Sequence, residues 1–208
     1  LKDSTINKKL NKVKFKQELK DELKYKNKMY CILGNSGVGK SIFSVCFSNY
    51  LINNKNKILI IDFDILNNSI HTILGTKKYS KKVKEKLIQN HIDNINDFNF
   101  KDLIIRANKN VDLLTGIDIL FNSEENINEI KLLEIIKQMK NKYDYIIVDT
   151  SSECFFKYNK ILIENSDKNI FLLEGNLLEI TKAKRLLEMY EKNWKINPKK
   201  MSIIINKY

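Results

Sequence analysis

Six glycines, one proline, three cysteines and two histidines are spread through 208 residues, and each scarcity removes a class of protein. The single proline, Pro198, leaves no Pro-rich linker, and no Gly-rich stretch or internal repeat divides the chain into several domains. Cys31, Cys46 and Cys154 stand apart in apolar stretches. Without metal-ligand spacing or a disulfide framework they read as reduced core residues. His71 and His91 are isolated, and no nucleophile elbow is present, so catalytic pairs of those kinds find no support. No run approaches the ~20 apolar residues of a membrane span, and residues 1–28 lack the uninterrupted apolar core of a signal peptide. The expected location is the cytoplasm.

Negative charge is also in deficit: 37 Lys and Arg against 25 Asp and Glu give a net charge of +12. Such a balance suits an anionic partner, nucleic acid or a membrane surface. Yet Arg106 and Arg185 are the only arginines, and abundant Lys, Asn and Ile are what an A/T-rich coding sequence produces. Lys77-Lys78-Tyr79-Ser80-Lys81-Lys82 therefore reads as a solvated face. The basic, weakly amphipathic stretch Lys8 to Lys16 reads as a linker or packing helix, with lipid or nucleic-acid contact as the other option. Residues 1–28 are thus set apart as a basic helical or linker segment. A chain that opens on Leu1 and ends on what reads as a strand is expected to be part of something longer.

Three of the six glycines fall in one turn, Gly34-Asn35-Ser36-Gly37-Val38-Gly39-Lys40-Ser41, which fits the G-x-x-x-x-G-K-[ST] phosphate loop. Context makes the match meaningful. Met29 to Leu33 before it reads as a buried strand, and Ile42 to Leu51 after it as a helix. In this arrangement backbone N–H groups of Gly34 to Ile42 and the positive end of the helix surround phosphate, Lys40 reaches the β- and γ-phosphates, and the Ser41 hydroxyl takes a Mg²⁺ position.

Further along, Lys57 to Asp62, Val111 to Thr115, Tyr143 to Asp149, Asn169 to Glu174 and Met201 to Asn206 read as strands. Val83 to Asn90, Asn126 to Lys142, Phe155 to Asn165 and Leu177 to Lys195 read as helices. The alternation predicts a doubly wound α/β fold with a mainly parallel sheet and helices on both faces. Ligands of such sheets bind at the carboxyl ends of strands. Two of those ends are acidic: Asp62-Phe63-Asp64 and Asp149-Thr150-Ser151. Carboxylates there can hold Mg²⁺ or orient an attacking water.

From residue 29 to residue 208 the string of motifs resembles the MinD/ParA-type P-loop ATPases. It carries the phosphate loop, Ile58-Leu59-Ile60-Ile61-Asp62-Phe63-Asp64, Asn67-Asn68-Ser69-Ile70-His71-Thr72-Ile73-Leu74-Gly75, Tyr143 to Thr150, and Ile203-Ile204-Ile205-Asn206-Lys207. The resemblance implies an ATP- and Mg²⁺-dependent switch that positions a pilus, flagellum, division site or plasmid. In it Asp64 matches the water-activating aspartate, Asp62 its partner near Mg²⁺, Asp149 the switch aspartate that senses the γ-phosphate, and Asn206 the asparagine on the adenine. It further implies an ATP-dependent homodimer released by hydrolysis from a protein partner, a membrane or DNA, and a cytoplasmic protein that can sit peripherally at a membrane or pole.

Two positions depart from the group. Asn35 stands where many members carry a signature lysine that crosses the dimer to the partner's phosphate, so slow turnover is expected. Ser151-Ser152-Glu153 replaces the small or proline-containing segment after the switch aspartate. Leu66 and Ser152 lack the arginine and proline of the related tyrosine kinases, and a pilus-placement, CpaE/TadZ-like member fits Asn35 best. Two alternatives stay open: a non-hydrolysing nucleotide-binding scaffold, and a GTPase, because Asn206-Lys207-Tyr208 could begin an N-K-x-D guanine motif.

Overall fold

The computed structural model describes residues 28–53, 55–64, 67–78, 100–115, 129–152 and 157–206. Residues 1–27 of the basic leader, the expected helix Val83 to Asn90, Cys154 and His91 lie outside them, while Lys28, assigned to the leader, opens the first strand. Seven strands form one sheet: β1 (Lys28–Gly34), β2 (Ile58–Phe63), β3 (Ile104–Arg106), β4 (Val111–Leu114), β5 (Tyr145–Thr150), β6 (Lys168–Leu173) and β7 (Met201–Ile205), in the order β3-β4-β2-β5-β1-β6-β7. Every neighbouring pair is parallel except β3 with β4. The helices are α1 (Lys40–Leu51), α2 (Ile70–Ile73), α3 (Glu129–Lys142), α4 (Lys157–Asn165) and α5 (Leu177–Lys192).

The central strands β1, β2 and β5 are runs of apolar residues until their carboxyl ends, because both faces are covered, as parallel crossovers require. On one face Met29, Cys31, Leu33, Ile146, Val148 and Phe171 pack with side chains of α3, α4 and α5, among them Met139, Leu162 and Tyr190. On the other, Tyr30, Ile32, Ile60 and Ile147 pack with Val45, Phe47 and Leu51 of α1 and Ile70 of α2. The doubly wound fold read from the sequence is the fold observed, with β5 at its centre between β2 and β1.

Two boundaries and one edge strand differ from expectation. The strand expected from Tyr143 starts at Tyr145, because the Tyr143 N–H closes α3 on the Met139 carbonyl at 3.0 Å and its hydroxyl donates to Asp112 at 2.8 Å. The helix expected to reach Lys195 ends at Lys192. Lys195 takes a left-handed φ of 58°, and the N–H groups of Trp194 and Ile196 turn back to the carbonyls of Met189 and Tyr190, as helix C-terminal motifs do. Strand β3 is three residues of mixed burial, too short to show a period of two. Cys31 is buried as expected, but Cys46 is exposed on α1, so the reading of all three cysteines as core does not hold.

Candidate functional site

Strand β1 ends at Gly34, where φ is 143°. A Cβ there would lie 2.4 Å from the Leu172 carbonyl oxygen and 2.9 Å from a Val38 methyl, so the loop leaves the sheet at a point only glycine fits. Gly39, at φ 90°, then turns the chain into α1 with no side-chain cap on the helix. The first N–H groups of a helix have no intrahelical acceptor. Those of α1 therefore border the loop formed by Asn35, Ser36, Gly37 and Val38, which suits an anion. Ser36, Gly37 and Ile42 are exposed, Ile42 to 61%.

The alternation of the parallel sheet brings the acids to this turn. Asp62 of β2 and Asp149 of β5 are register partners on adjacent strands, both 0% exposed. Asp149 accepts hydrogen bonds from the hydroxyls of Ser41 at 2.6 Å and Ser44 at 3.2 Å. Asp62 accepts the Ile70 N–H on Oδ2 at 3.1 Å, while its Oδ1 is buried with no hydrogen-bond partner. Burial, with Asp149 second, pushes the Asp62 carboxyl up to about 7; burial, partly offset by Ser41, pushes Asp149 up to about 6. Asp64 lies just past β2, its Oδ1 accepting the Asn67 N–H at 3.1 Å and its carbonyl the Asn68 amide at 2.7 Å.

Buried Lys40, 7% exposed, donates to the Asn35 carbonyl at 3.1 Å and to the Ser152 hydroxyl at 2.6 Å. Asn206, whose N–H bonds the Leu173 carbonyl at 2.8 Å, donates its amide to the Val38 carbonyl at 2.8 Å and so lies against the loop. The structure therefore gathers Lys40, Ser41, Asp62, Asp149 and Asn206 around the turn, with Asp64 at its edge.

Three partners escaped the sequence reading. Ser44 is one helical turn past Ser41, a spacing that was legible. Ser152 and Glu179 gave no local signal. Glu179, three residues into α5 and capped there by Asn176, accepts the Asn35 amide at 2.6 Å across 144 positions of sequence. Its carboxyl is held below its ordinary range by Lys182 first and Asn35 second.

An orphaned carboxylate oxygen beside a second carboxylate and a serine hydroxyl is an all-oxygen donor set of the kind Mg²⁺ takes. Among the described residues no group of three or more His, Cys, Asp or Glu side chains is placed to hold a metal alone.

The family described as the AAA domain matches residues 28–203. An uncharacterized protein of Methanocaldococcus jannaschii, MJECL24, is 30% identical over 182 residues, covering 83% of this chain and 70% of that one. Among solved structures, a ParA family ATPase from Chlorobium tepidum superposes with a TM-score of 0.69 at 19% identity, over 86% of this chain and 74% of the other. The MinC:MinD cell division protein complex of Aquifex aeolicus gives 0.64 at 21%, over 86% and 68%. A putative plasmid partition protein from Borrelia burgdorferi bound to AMPPNP gives 0.61 at 24%, over 86% and 73%. With phosphate loop, sheet order and family match in agreement, this chain belongs to the AAA-domain family of P-loop ATPases and has the MinD/ParA-type fold.

Proposed function

We propose that the chain is an ATP-binding, Mg²⁺-dependent switch ATPase that positions a cellular structure, with residues 29–208 as the ATPase domain and residues 1–28 as a basic leader. The loop amides from Gly34 to Ile42 and the Lys40 ammonium hold the phosphates. Ser41, Asp62 and Asp149 are the residues that would hold Mg²⁺, with Asp64 at the edge of that set, and the ion when bound would neutralise charge on the β- and γ-phosphates. Asp64 orients the attacking water. Asp149, bonded to α1 through Ser41 and Ser44, carries the presence or absence of the γ-phosphate into the segment that follows it. Asn206 contacts the base. Its cycle is that of an ATP-dependent homodimer in the cytoplasm, engaging a protein partner of a localisation system and, at a membrane or pole, a lipid or DNA surface.

The observation that carries the reading is the buried Asp62–Asp149 pair with one carboxylate oxygen unpartnered beside the loop. Leaving such an oxygen unpaired costs roughly 1–3 kcal/mol, a cost a bound cation removes. Lys40→Ala should abolish ATP binding in calorimetry, and unchanged affinity would sink the site assignment. A second reading has its own support: Asn35 is tied to Glu179 within the chain and brings no cation to a partner's phosphate. It makes the chain a nucleotide-binding scaffold without turnover. Single-turnover hydrolysis separates the two, since a scaffold releases no phosphate with or without a partner protein.

A further inference from the structure

We propose that Ser152 is a positioning residue that holds the loop lysine in the nucleotide-free chain and thereby lowers the affinity for ATP. The proposal rests on the nucleotide-site reading above. Lys40 donates to Ser152 Oγ at 2.6 Å, a short bond from a cation, and to the Asn35 carbonyl at 3.1 Å. Charge-assisted bonds of this kind are roughly twice as strong as neutral ones. Asn35 belongs to the phosphate loop and stays beside the lysine whatever binds there. Ser152 belongs to the segment after β5, 112 residues away in sequence, and its hydroxyl has to be surrendered when Lys40 turns to phosphate oxygens. An interaction present only in the free state subtracts its own free energy from binding.

The same segment has a second anchorage. Ser151 Oγ lies 3.2 Å from the Tyr158 hydroxyl and accepts the Asn159 amide at 3.0 Å, both buried contacts with α4. Ser41 and Ser44 fix Asp149 at the other end. Residues 149–152 thus run from α1 to α4, and Lys40 grips the last of them. When the lysine lets go of Ser152, the change is felt next by Ser151 and the two α4 side chains that hold it.

The test uses the full 208-residue chain as Ser152→Ala and Ser152→Thr, with MgATP affinity by calorimetry and amide hydrogen exchange over Lys157–Asn165. Ser152→Ala should bind ATP roughly three- to tenfold more tightly, and Ser152→Thr, which keeps the hydroxyl, should match the unaltered chain. Addition of ATP should change exchange in α4 of the unaltered chain, and Ser152→Ala should show that change without nucleotide. Equal or weaker ATP binding by Ser152→Ala overturns the proposal while leaving the nucleotide site intact. Absence of ATP binding to the unaltered chain overturns the site reading and the proposal with it.

Discussion

Asp62→Asn should make this chain more stable at neutral pH while damaging its site. In the folded state the carboxyl is raised to about 7 by burial and by Asp149, against 3.8 for the ordinary side chain. A raised folded pKa means that the native state holds the proton more tightly than the unfolded chain. The stability this supplies is complete below about pH 4 and is lost as the pH climbs to 7. Over that window the loss is about 1.4 kcal/mol for each pH unit, so at pH 8 the ionised Asp62 costs on the order of 4 kcal/mol, and at pH 5 on the order of 1.5. An amide does not titrate. Asp62→Asn should therefore gain stability over the unaltered chain at pH 8 and keep roughly a third of that gain at pH 5. Urea unfolding in EDTA, without nucleotide, measures the difference at both values, and titrating groups remote from Asp62 cancel in the comparison. Asp149, raised to about 6, faces Asp62, so losing the Asp62 charge also eases ionisation of Asp149 and adds to the variant's gain at pH 8. A difference independent of pH, or a variant less stable at pH 8, refutes the reasoning. Added MgATP should then stabilise the variant less than it stabilises the unaltered chain.

Gly34→Ala should lower stability by roughly 3–5 kcal/mol, because the new methyl meets the backbone carbonyl of Leu172 at a left-handed φ and neither can move without parting β1 from β6; a thermal midpoint within a degree of the original contradicts this. Asn35→Lys should pair with Glu179 in the free chain and raise single-turnover ATP hydrolysis by roughly tenfold or more if the missing cation limits turnover. An unchanged rate in a chain that still binds ATP removes Asn35 as the brake.

What the sequence discloses follows the range of the interaction involved. The phosphate loop, the apolar strands and the alternation with helices are local patterns, and Met29 to Leu33, Ile58 to Ile61 and Tyr145 to Val148 are all strands as their runs predict. Asp62 and Asp149 were legible because strand ends collect at one edge of a parallel sheet whatever the details. Their hydrogen bonds were not. Ser152 meets Lys40 and Glu179 meets Asn35 only through the order in which strands lie beside one another, and no spacing in the chain encodes that order. Helix ends failed for a related reason: Tyr143 is apolar enough for a strand, and only its N–H on the Met139 carbonyl, with its hydroxyl held by Asp112, shows that it closes α3 instead.

The amide of Asn206 on the Val38 carbonyl joins positions 168 residues apart, and the other pairings of the site, Ser41 with Asp149 and Lys40 with Ser152, span 108 and 112. Contacts of such range pay their loop-closure entropy before they return any stabilisation, which places them late in folding. A ribosome-bound chain that has exposed the phosphate loop and α1 already carries the whole motif and still lacks every carboxylate and amide that β5 and β7 deliver. Competence for nucleotide should consequently wait until β5, and after it β7, has left the ribosome.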